Sequence, residues 1–165
     1  MPTYYLVLMC DLDGLSALKP KATSVYALSL RCVYCQTIAE TSAVLDPSEE
    51  EVEVKGGRST ATMTWKCKFC KRDGNLMLKG LEAVSEKKKR KEEEQNIVQV
   101  IECRGAPEVI GWDPALSSWV GTSSSTSESE KPFDVDLSQG DWCDFDEEGQ
   151  HPVSVENAKG TVENA

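Results

Sequence analysis

The feature that most constrains this chain is a Cys-x-x-Cys motif that occurs twice, at Cys32 and Cys35 and again at Cys67 and Cys70. Because the two sulfurs of such a turn can point at one ion, each pair supplies half of a tetrahedral site. Two pairs therefore predict one zinc ion per chain, held by four thiolates. A zinc site of this kind is closed and leaves no position for water or substrate.

Basic residues flank both cysteine pairs, although the chain as a whole is acidic. Its 18 Lys and Arg against 28 Asp and Glu give a net charge of −10. The basic residues within two positions of a paired cysteine are Arg31, Lys66, Lys68, Lys71 and Arg72. Nearby cations lower thiol pKa values and offset the double negative charge of zinc bound by four thiolates.

Other uses of the four thiols stay open. Spacing alone does not separate zinc from iron, because four sulfurs suit both ions. A redox pair of the thioredoxin type should begin a helix in an α/β fold, and the pattern predicts no such helix. Disulfides need an oxidising compartment, whereas the apolar run at residues 4–10 lacks the basic segment of a secretion signal. We expect a cytoplasmic protein, with nuclear import through the basic block at 85–95 as the alternative.

Alternation with a period of two runs through most of the apolar segments, which is typical of strands. These segments are TYYLVLMC, SVYALSLRC, EVEV, STATMTW, NLMLKG and NIVQVIEC. We predict a mostly β fold, an antiparallel sandwich or barrel-like structure with long strands and zinc knuckles at hairpin tips. Gly56 and Gly57 indicate a hairpin turn between EVEV and STATMTW, since glycine adopts positive φ without strain. This hairpin accounts for the long interval between the cysteine pairs.

The polar segments predict the organisation of the chain. We expect residues 1–155 to form a single zinc-binding domain into which a charged loop (85–95) and a serine-rich loop (121–131) are inserted. Residues 156–165 are expected to be a flexible tail, because the sequence from position 149 onward is again polar. His151, the one histidine of the chain, lies near this tail.

Three cysteines lie outside the two pairs. Cys10 and Cys103 occur in apolar strands, and such cysteines are usually small core residues. Cys143 lies in the acidic segment DWCDFDEEG, where we expect it to be a packing residue beside Trp142 and Phe145. We expect these two aromatic rings to cover one face of a sheet while the acids remain in water.

Several motifs, taken in order along the chain, resemble one eukaryotic family. They are the first cysteine pair, KGGR at 55–58, KCKFC at 66–70, ECRG at 102–105 and DWCDFDE at 141–147. The chain is similar in these motifs to the CXXC-motif-containing zinc-binding proteins, also known as domain of unknown function 866. Over about residues 5–155 the resemblance implies a zinc site at Cys32, Cys35, Cys67 and Cys70, a mostly antiparallel β fold and no established enzymatic activity.

These observations favour a binding protein over an enzyme. A single histidine in a polar segment does not support Ser-His or Cys-His catalysis, and a closed zinc site does not activate water. We expect a monomeric structural zinc protein that acts as an interaction module for a protein partner and does not bind membranes. The alternatives are a protein that handles zinc or copper and a zinc-ribbon nucleic-acid binder. The net charge of −10 opposes the last of these.

Overall fold

Antiparallel strands account for most of the structure, a computed structural model that describes residues 2–21, 23–47, 52–53, 60–80, 96–123, 132–147 and 150–164. In these residues we number fourteen strands and find no α-helix; the one helical element is a 3-10 turn at Pro114–Leu116. The first seven strands are β1 Thr3–Asp13, β2 Leu15–Pro20, β3 Tyr26–Cys32, β4 Ala43–Leu45, β5 Val52–Glu53, β6 Thr60–Ala61 and β7 Met63–Lys66. The others are β8 Asp73–Leu78, β9 Asn96–Gly105, β10 Pro107–Asp113, β11 Trp119–Ser123, β12 Phe133–Val135, β13 Trp142–Asp146 and β14 His151–Asn164. The prediction of a mostly β, antiparallel fold is confirmed.

The largest sheet has six strands in the order β13-β14-β1-β9-β8-β7. Strand β1 lies inside it, and Tyr4 to Leu8 are all buried because both faces of the sheet are covered here. Tyr5 and Val7 pack on one face, whereas Tyr4, Leu6 and Leu8 pack on the other. Register shifts in the pairing of β1 with β9 and with β14 mark bulges, which increase twist and help the sheet to curl.

Two three-stranded sheets, β10-β3-β4 and β12-β11-β2, supply the remaining long strands. The indole of Trp112 on β10 connects its sheet with the six-stranded one, because its Nε1–H donates to the Thr161 carbonyl at 3.0 Å. The ring centroid of Trp112 also lies 6.1 Å from that of Trp119 and 6.5 Å from that of Tyr26. This aromatic cluster belongs to the main core, which several strands share. Among the described residues, no helix has the length and apolar character needed to cross a membrane.

The predicted tail is wrong. Residues 156–164 belong to β14, which pairs with β1 from Ser154 opposite Asp13 to Asn164 opposite Tyr4. The sequence hides this strand because its alternation is interrupted: Asn157 has φ of 55° and lies where β14 carries one extra residue in its pairing with β1. Beyond that point the half-buried Ala158 and Val162 pack against the core. The assignment of residues 1–155 to a single domain stays a prediction.

The remaining predictions have mixed outcomes. Strands β5 and β6 pair as the hairpin prediction requires, but its Gly-Gly turn and the charged loop at 85–95 lie outside the described residues. So does most of the serine-rich segment, whose first residues belong to β11. Cys103 is buried, and burial raises its pKa to about 12. Cys10 is half-buried against the core.

The expectation for the acidic segment is only partly correct. Trp142 is half-buried on β13 and lies edge-on to Phe133, with ring centroids 5.9 Å apart. Phe145 and Cys143, on the same strand, are exposed. The prediction that Cys143 is a packing residue is therefore wrong. Cys143 and Phe145 lie on one face of β13, an edge strand of its sheet, and their side chains on that face are exposed to water.

Candidate metal centre

The two Cys-x-x-Cys motifs adopt the same backbone structure. In the first, the Gln36 N–H donates to the Cys32 carbonyl at 2.9 Å, and the Cys32 N–H donates to the Thr37 carbonyl at 3.0 Å. In the second, the Lys71 N–H donates to the Cys67 carbonyl at 3.0 Å, and the Cys67 N–H donates to the Arg72 carbonyl at 2.9 Å. Both motifs are thus knuckles closed by hydrogen bonds at the same sequence offsets.

A left-handed residue follows the second cysteine of each knuckle. Gln36 has φ of 63° and Lys71 has φ of 66°. This conformation costs a non-glycine residue about 1–2 kcal/mol, so the surrounding hydrogen bonds must hold it in place. At each of these residues the backbone reverses direction, so that the segment leaving the knuckle runs back along the strand that entered it.

Separate sheets bring the two knuckles together. The first follows β3 in a three-stranded sheet, and the second joins β7 to β8 at the edge of the six-stranded sheet. The Cys32 and Cys70 sulfurs lie 3.6 Å apart, and so do those of Cys35 and Cys67. All four sulfurs lie within 4.8 Å of one another. The predicted cysteines therefore converge at one point.

The separations match a four-sulfur zinc site. Zinc–sulfur bonds of about 2.3 Å in a tetrahedron place neighbouring sulfurs about 3.8 Å apart. The donor set, four thiols without a carboxylate or imidazole, is also one of those that structural zinc sites use. The cluster can hold a single metal ion, and among the described residues no second group of potential metal ligands of this kind occurs.

The two cysteines of each knuckle differ in exposure. Cys32 and Cys67 are buried, whereas Cys35 and Cys70 are half-buried at the surface side of the cluster. The buried sulfurs pack with Ala106, and the half-buried Trp65 lies against the same group. An ion held here would thus be shielded on its inner side and reachable from the outside only past Cys35 and Cys70.

Hydrogen bonds and burial shift the pKa values of Cys35 and Cys70 in opposite directions. The hydroxyl and backbone N–H of Thr37 lower the pKa of Cys35 to about 6. The backbone N–H of Arg72 lowers the pKa of Cys70, but burial and the neighbouring sulfurs outweigh it and raise that pKa to about 11. Since metal ligation requires thiolates, metal binding at this cluster releases protons.

The turn between β9 and β10 forms the floor of the centre, a role that sequence reasoning missed. The Val33 N–H donates to the Ala106 carbonyl at 2.9 Å, and the Ala106 N–H donates to the Asp73 carbonyl at 3.2 Å. The turn thereby contacts the first knuckle and the strand that leaves the second. Gly105, with φ of 79°, allows this turn. The sequence signal was the turn residues Gly105, Ala106 and Pro107 between two alternating runs.

Gly74 makes this close approach feasible and provides a test of it. A Cβ at Gly74 would collide with the Arg104 carbonyl and would lie 2.7 Å from the Ala106 nitrogen. We expect Gly74→Ala to lower the free energy of unfolding by about 1–3 kcal/mol, as overpacking against rigid backbone does. Urea denaturation of the zinc-loaded protein measures this loss.

Gly111→Ala is the matched control, because a Cβ at that position lies 3.8 Å from the nearest atom, the Ser29 Cβ. We expect it to change the free energy of unfolding by less than about 1 kcal/mol. Equal losses in the two variants would show that Gly74 is not a tight contact.

Of the basic neighbours predicted to offset the charge of the site, the two arginines contact other side chains and the three lysines are exposed. Arg31 is paired with Glu108, its Nη2 lying 2.9 Å and its Nε 3.1 Å from the carboxylate oxygens. The Arg72 guanidinium stacks 4.3 Å from the ring centroid of Tyr34 and so connects one knuckle with the other. Lys66, Lys68 and Lys71 are exposed and make no ion pair with the described residues.

The fold has structural neighbours of the same size. The crystal structure of C1orf123 superposes with a TM-score of 0.80 at 24% identity and covers 99% of each chain. A hypothetical protein from Plasmodium falciparum superposes with a TM-score of 0.77 at 19% identity, over 99% of this chain and 100% of that one. At these identities the matches establish a shared fold.

Sequence comparison identifies the family. A Bos taurus protein named CXXC motif containing zinc binding protein is 30% identical over 151 residues, 91% of each chain. A UPF0587 protein of Schizosaccharomyces pombe is 27% identical over 168 aligned residues, 100% of each chain. The family model described as CXXC motif containing zinc binding protein, eukaryotic, matches residues 5–163. Together with the four-cysteine cluster, these matches show that the chain belongs to the eukaryotic family of CXXC motif containing zinc binding proteins.

Proposed function

We propose that Cys32, Cys35, Cys67 and Cys70 bind one zinc ion, and that the two knuckles they join present an interaction surface for a protein partner. The observation that carries this proposal is the exposure of large apolar side chains on the knuckles. Phe69 is 75% exposed, Ile38 58% and Tyr34 52%. With the less exposed Val33 they form what we call the knuckle surface. Aromatic residues are enriched in protein interfaces, and exposed apolar clusters are uncommon elsewhere.

The metal contributes structure to this surface. When bound, the ion supplies four bonds that cross-link two hairpins from different sheets. Tyr34 and Phe69 lie inside the Cys-x-x-Cys turns themselves, so their positions depend directly on the closure of the two knuckles. The knuckle surface is therefore expected to form only when both hairpins are held together.

Several features support a role without catalysis. Four thiolates complete the tetrahedral coordination of zinc and leave no position for a substrate. His151 lies 3.5 Å from the Asp146 carboxylate of β13, the edge strand opposite β7 in the six-stranded sheet. The chain's one imidazole is therefore held at the far edge from the knuckle strand β7, and it provides no base there.

A comparative pull-down tests the interaction role. Wild-type protein is compared with a Tyr34→Ala, Phe69→Ala double variant that retains zinc, and captured proteins are identified by mass spectrometry. We expect a partner that binds wild type, binds the double variant at least about tenfold more weakly, and behaves in the same way when purified. Phe145→Ala is the matched control, because Phe145 is 51% exposed on β13. A partner lost equally from the control would contradict the assignment of the surface.

The half-burial of Cys35 and Cys70 favours one second candidate, a protein that donates zinc or copper to others. A donor needs a site that an attacking ligand opens quickly while the fold persists. Here each knuckle is braced by its own hydrogen-bonded hairpin, and two buried sulfurs hold the inner side. Losing the ion therefore requires both knuckles to open.

We expect a competing chelator at modest excess to remove zinc only over hours at room temperature, with loss of metal and loss of β structure proceeding together. The measurement pairs a chromophoric zinc-release assay with circular dichroism on one sample. Elemental analysis of the starting material should give one zinc per chain. Release within seconds from a protein that stays folded would reject the structural role and favour the metal donor.

The proposal also takes the protein to be a cytoplasmic monomer, with the nucleus as the alternative location. The net charge of −10 supports a protein partner over a nucleic acid.

A further inference from the structure

We propose that a groove lined in part by the knuckle surface binds an extended acidic peptide segment of another protein, anchored by one apolar side chain. The inference rests on the proposed function, since it names the class of partner that an interaction module at this position would take.

The groove has a volume of about 300 Å³ and lies between the two knuckle segments. Residues 37–41, which follow the first knuckle, form one wall, and residues 65–69, which enter and include the second, form the other. Its walls therefore come from the two hairpins that the four cysteines join. The volume is at the lower end of that of ligand sites, about 300–1,000 Å³, and suits a short segment of chain.

A strand edge that no other described strand pairs with lies along the groove. Strand β7 is the last strand of the six-stranded sheet, and among the described residues only β8 pairs with it. Alternate N–H and C=O groups of an edge strand face outward and can pair with an added strand. Because Trp65 and Lys66 of β7 line the groove, an extended peptide seated there lies beside this edge.

Charge selects the kind of peptide. Lys66 and Lys68 line the groove, whereas Glu40 is the one acidic residue among the described residues of its lining. Lys71 and Arg72 add positive charge just beyond the second knuckle. Although the chain has a net charge of −10, these cations make this wall of the groove positive, and they attract and orient an acidic segment.

The same walls provide the apolar contact. Ile38, Trp65 and Phe69 line the groove, and the first and last of these are more than half exposed. Lysines alone would bind any anion weakly, but a buried apolar anchor supplies affinity that salt does not screen. The groove therefore fits a peptide with acids on both sides of one aromatic or large aliphatic residue.

Fluorescence anisotropy with the zinc-loaded full chain tests the proposal. The probe is a short fluorescein-labelled peptide of Asp and Glu with one central phenylalanine. We expect saturable binding that weakens at least about tenfold when alanine replaces the phenylalanine, or when Lys66→Glu and Lys68→Glu are combined. Glu40→Lys lies outside the cysteine motifs and should tighten binding several-fold, so the test does not depend on a variant that disturbs a knuckle. Zinc content is measured for every variant.

The control combines Lys19→Glu with Lys159→Glu, which changes the net charge by the same amount at exposed positions of β2 and β14. It should leave the affinity within about twofold, because distant exposed charges are screened. No binding of the probe, equal weakening by the control, or weaker binding by Glu40→Lys would overturn the proposal.

Two further results would assign the groove to another occupant and also reject the proposal. One is concentration-dependent self-association that Lys66→Glu with Lys68→Glu abolishes, seen by light scattering. The other is tighter binding of a single-stranded RNA than of the peptide. A partner that needs Tyr34 and Phe69 but ignores Lys66 and Lys68, without peptide binding, leaves the proposed function standing and rejects only this inference. If the pull-down finds no such partner and the peptide does not bind, both the proposed function and this inference are rejected.

Discussion

Replacing Cys67 by serine is expected to abolish stoichiometric zinc binding and to lower the melting temperature by more than 10 °C. Cys67 is buried, and its sulfur lies 3.6 Å from that of Cys35 in the other knuckle. Zinc binding contributes on the order of 10 kcal/mol to the folding of small zinc peptides. The larger core here makes folding less dependent on zinc. A loss of about 5 kcal/mol in the free energy of unfolding lowers the melting temperature by about 10–20 °C in a chain of this size.

Elemental analysis and a thermal melt followed by circular dichroism measure the two effects. Cys143→Ser is the matched control, because Cys143 is exposed on β13 and outside the cluster. It should keep one zinc per chain and change stability by no more than about 0.5 kcal/mol. Cys10→Ser, at a half-buried position, should have an intermediate effect. Equal melting shifts for Cys67→Ser and Cys10→Ser would contradict the structural role of the cluster.

Ending the chain after Asn157 is expected to destabilise the fold by at least about 3 kcal/mol, a large part of the total for a domain. The truncation removes the half of β14 that pairs with Tyr4 to Met9 of β1. It also removes Thr161, whose carbonyl accepts the Trp112 indole N–H, and the half-buried Val162. An inner strand of the six-stranded sheet would thereby become an unpaired edge over half its length.

Urea denaturation compares the truncated chain with the full-length protein. Two full-length variants distinguish the effect of lost backbone pairing in β14 from that of a changed side chain. Thr161→Pro removes the backbone donor of a residue that pairs with Val7 of β1 and should also be destabilising. Lys159→Ala changes an exposed side chain of the same strand and should be almost neutral. A truncated protein as stable as the full chain would show that the end of β14 does not hold the sheet.

The convergence of the four cysteines could be predicted from the sequence because its signal is local. The spacing of Cys32 from Cys35 and of Cys67 from Cys70 is set by a turn whose hydrogen bonds join residues four and five positions apart. Each knuckle therefore forms in the same way wherever its hairpin lies. Binding of one ion by both pairs requires their four sulfurs to lie together, and the structure places them within 4.8 Å of one another.

The predictions that failed concern segments whose environment is set by distant partners. Residues 156–164 are too polar to indicate a strand, and they form one because β1 offers its edge along their whole length. Cys143 resembles a packing residue in its aromatic context, but β13 is an edge strand and the side chain points away from the core. In both cases the deciding quantity is the position of a strand in its sheet, which local composition does not encode.

The sequence by itself determined the secondary-structure class, the donor set and the hairpin form of the knuckles, because alternation and turn chemistry act over a few residues. Only the tertiary structure decided the order of strands, the floor provided by Ala106 and the groove between residues 37–41 and 65–69. These features arise where strands from different sheets pack together. Such contacts depend on which faces are buried jointly, and that is a property of the whole core rather than of any one segment.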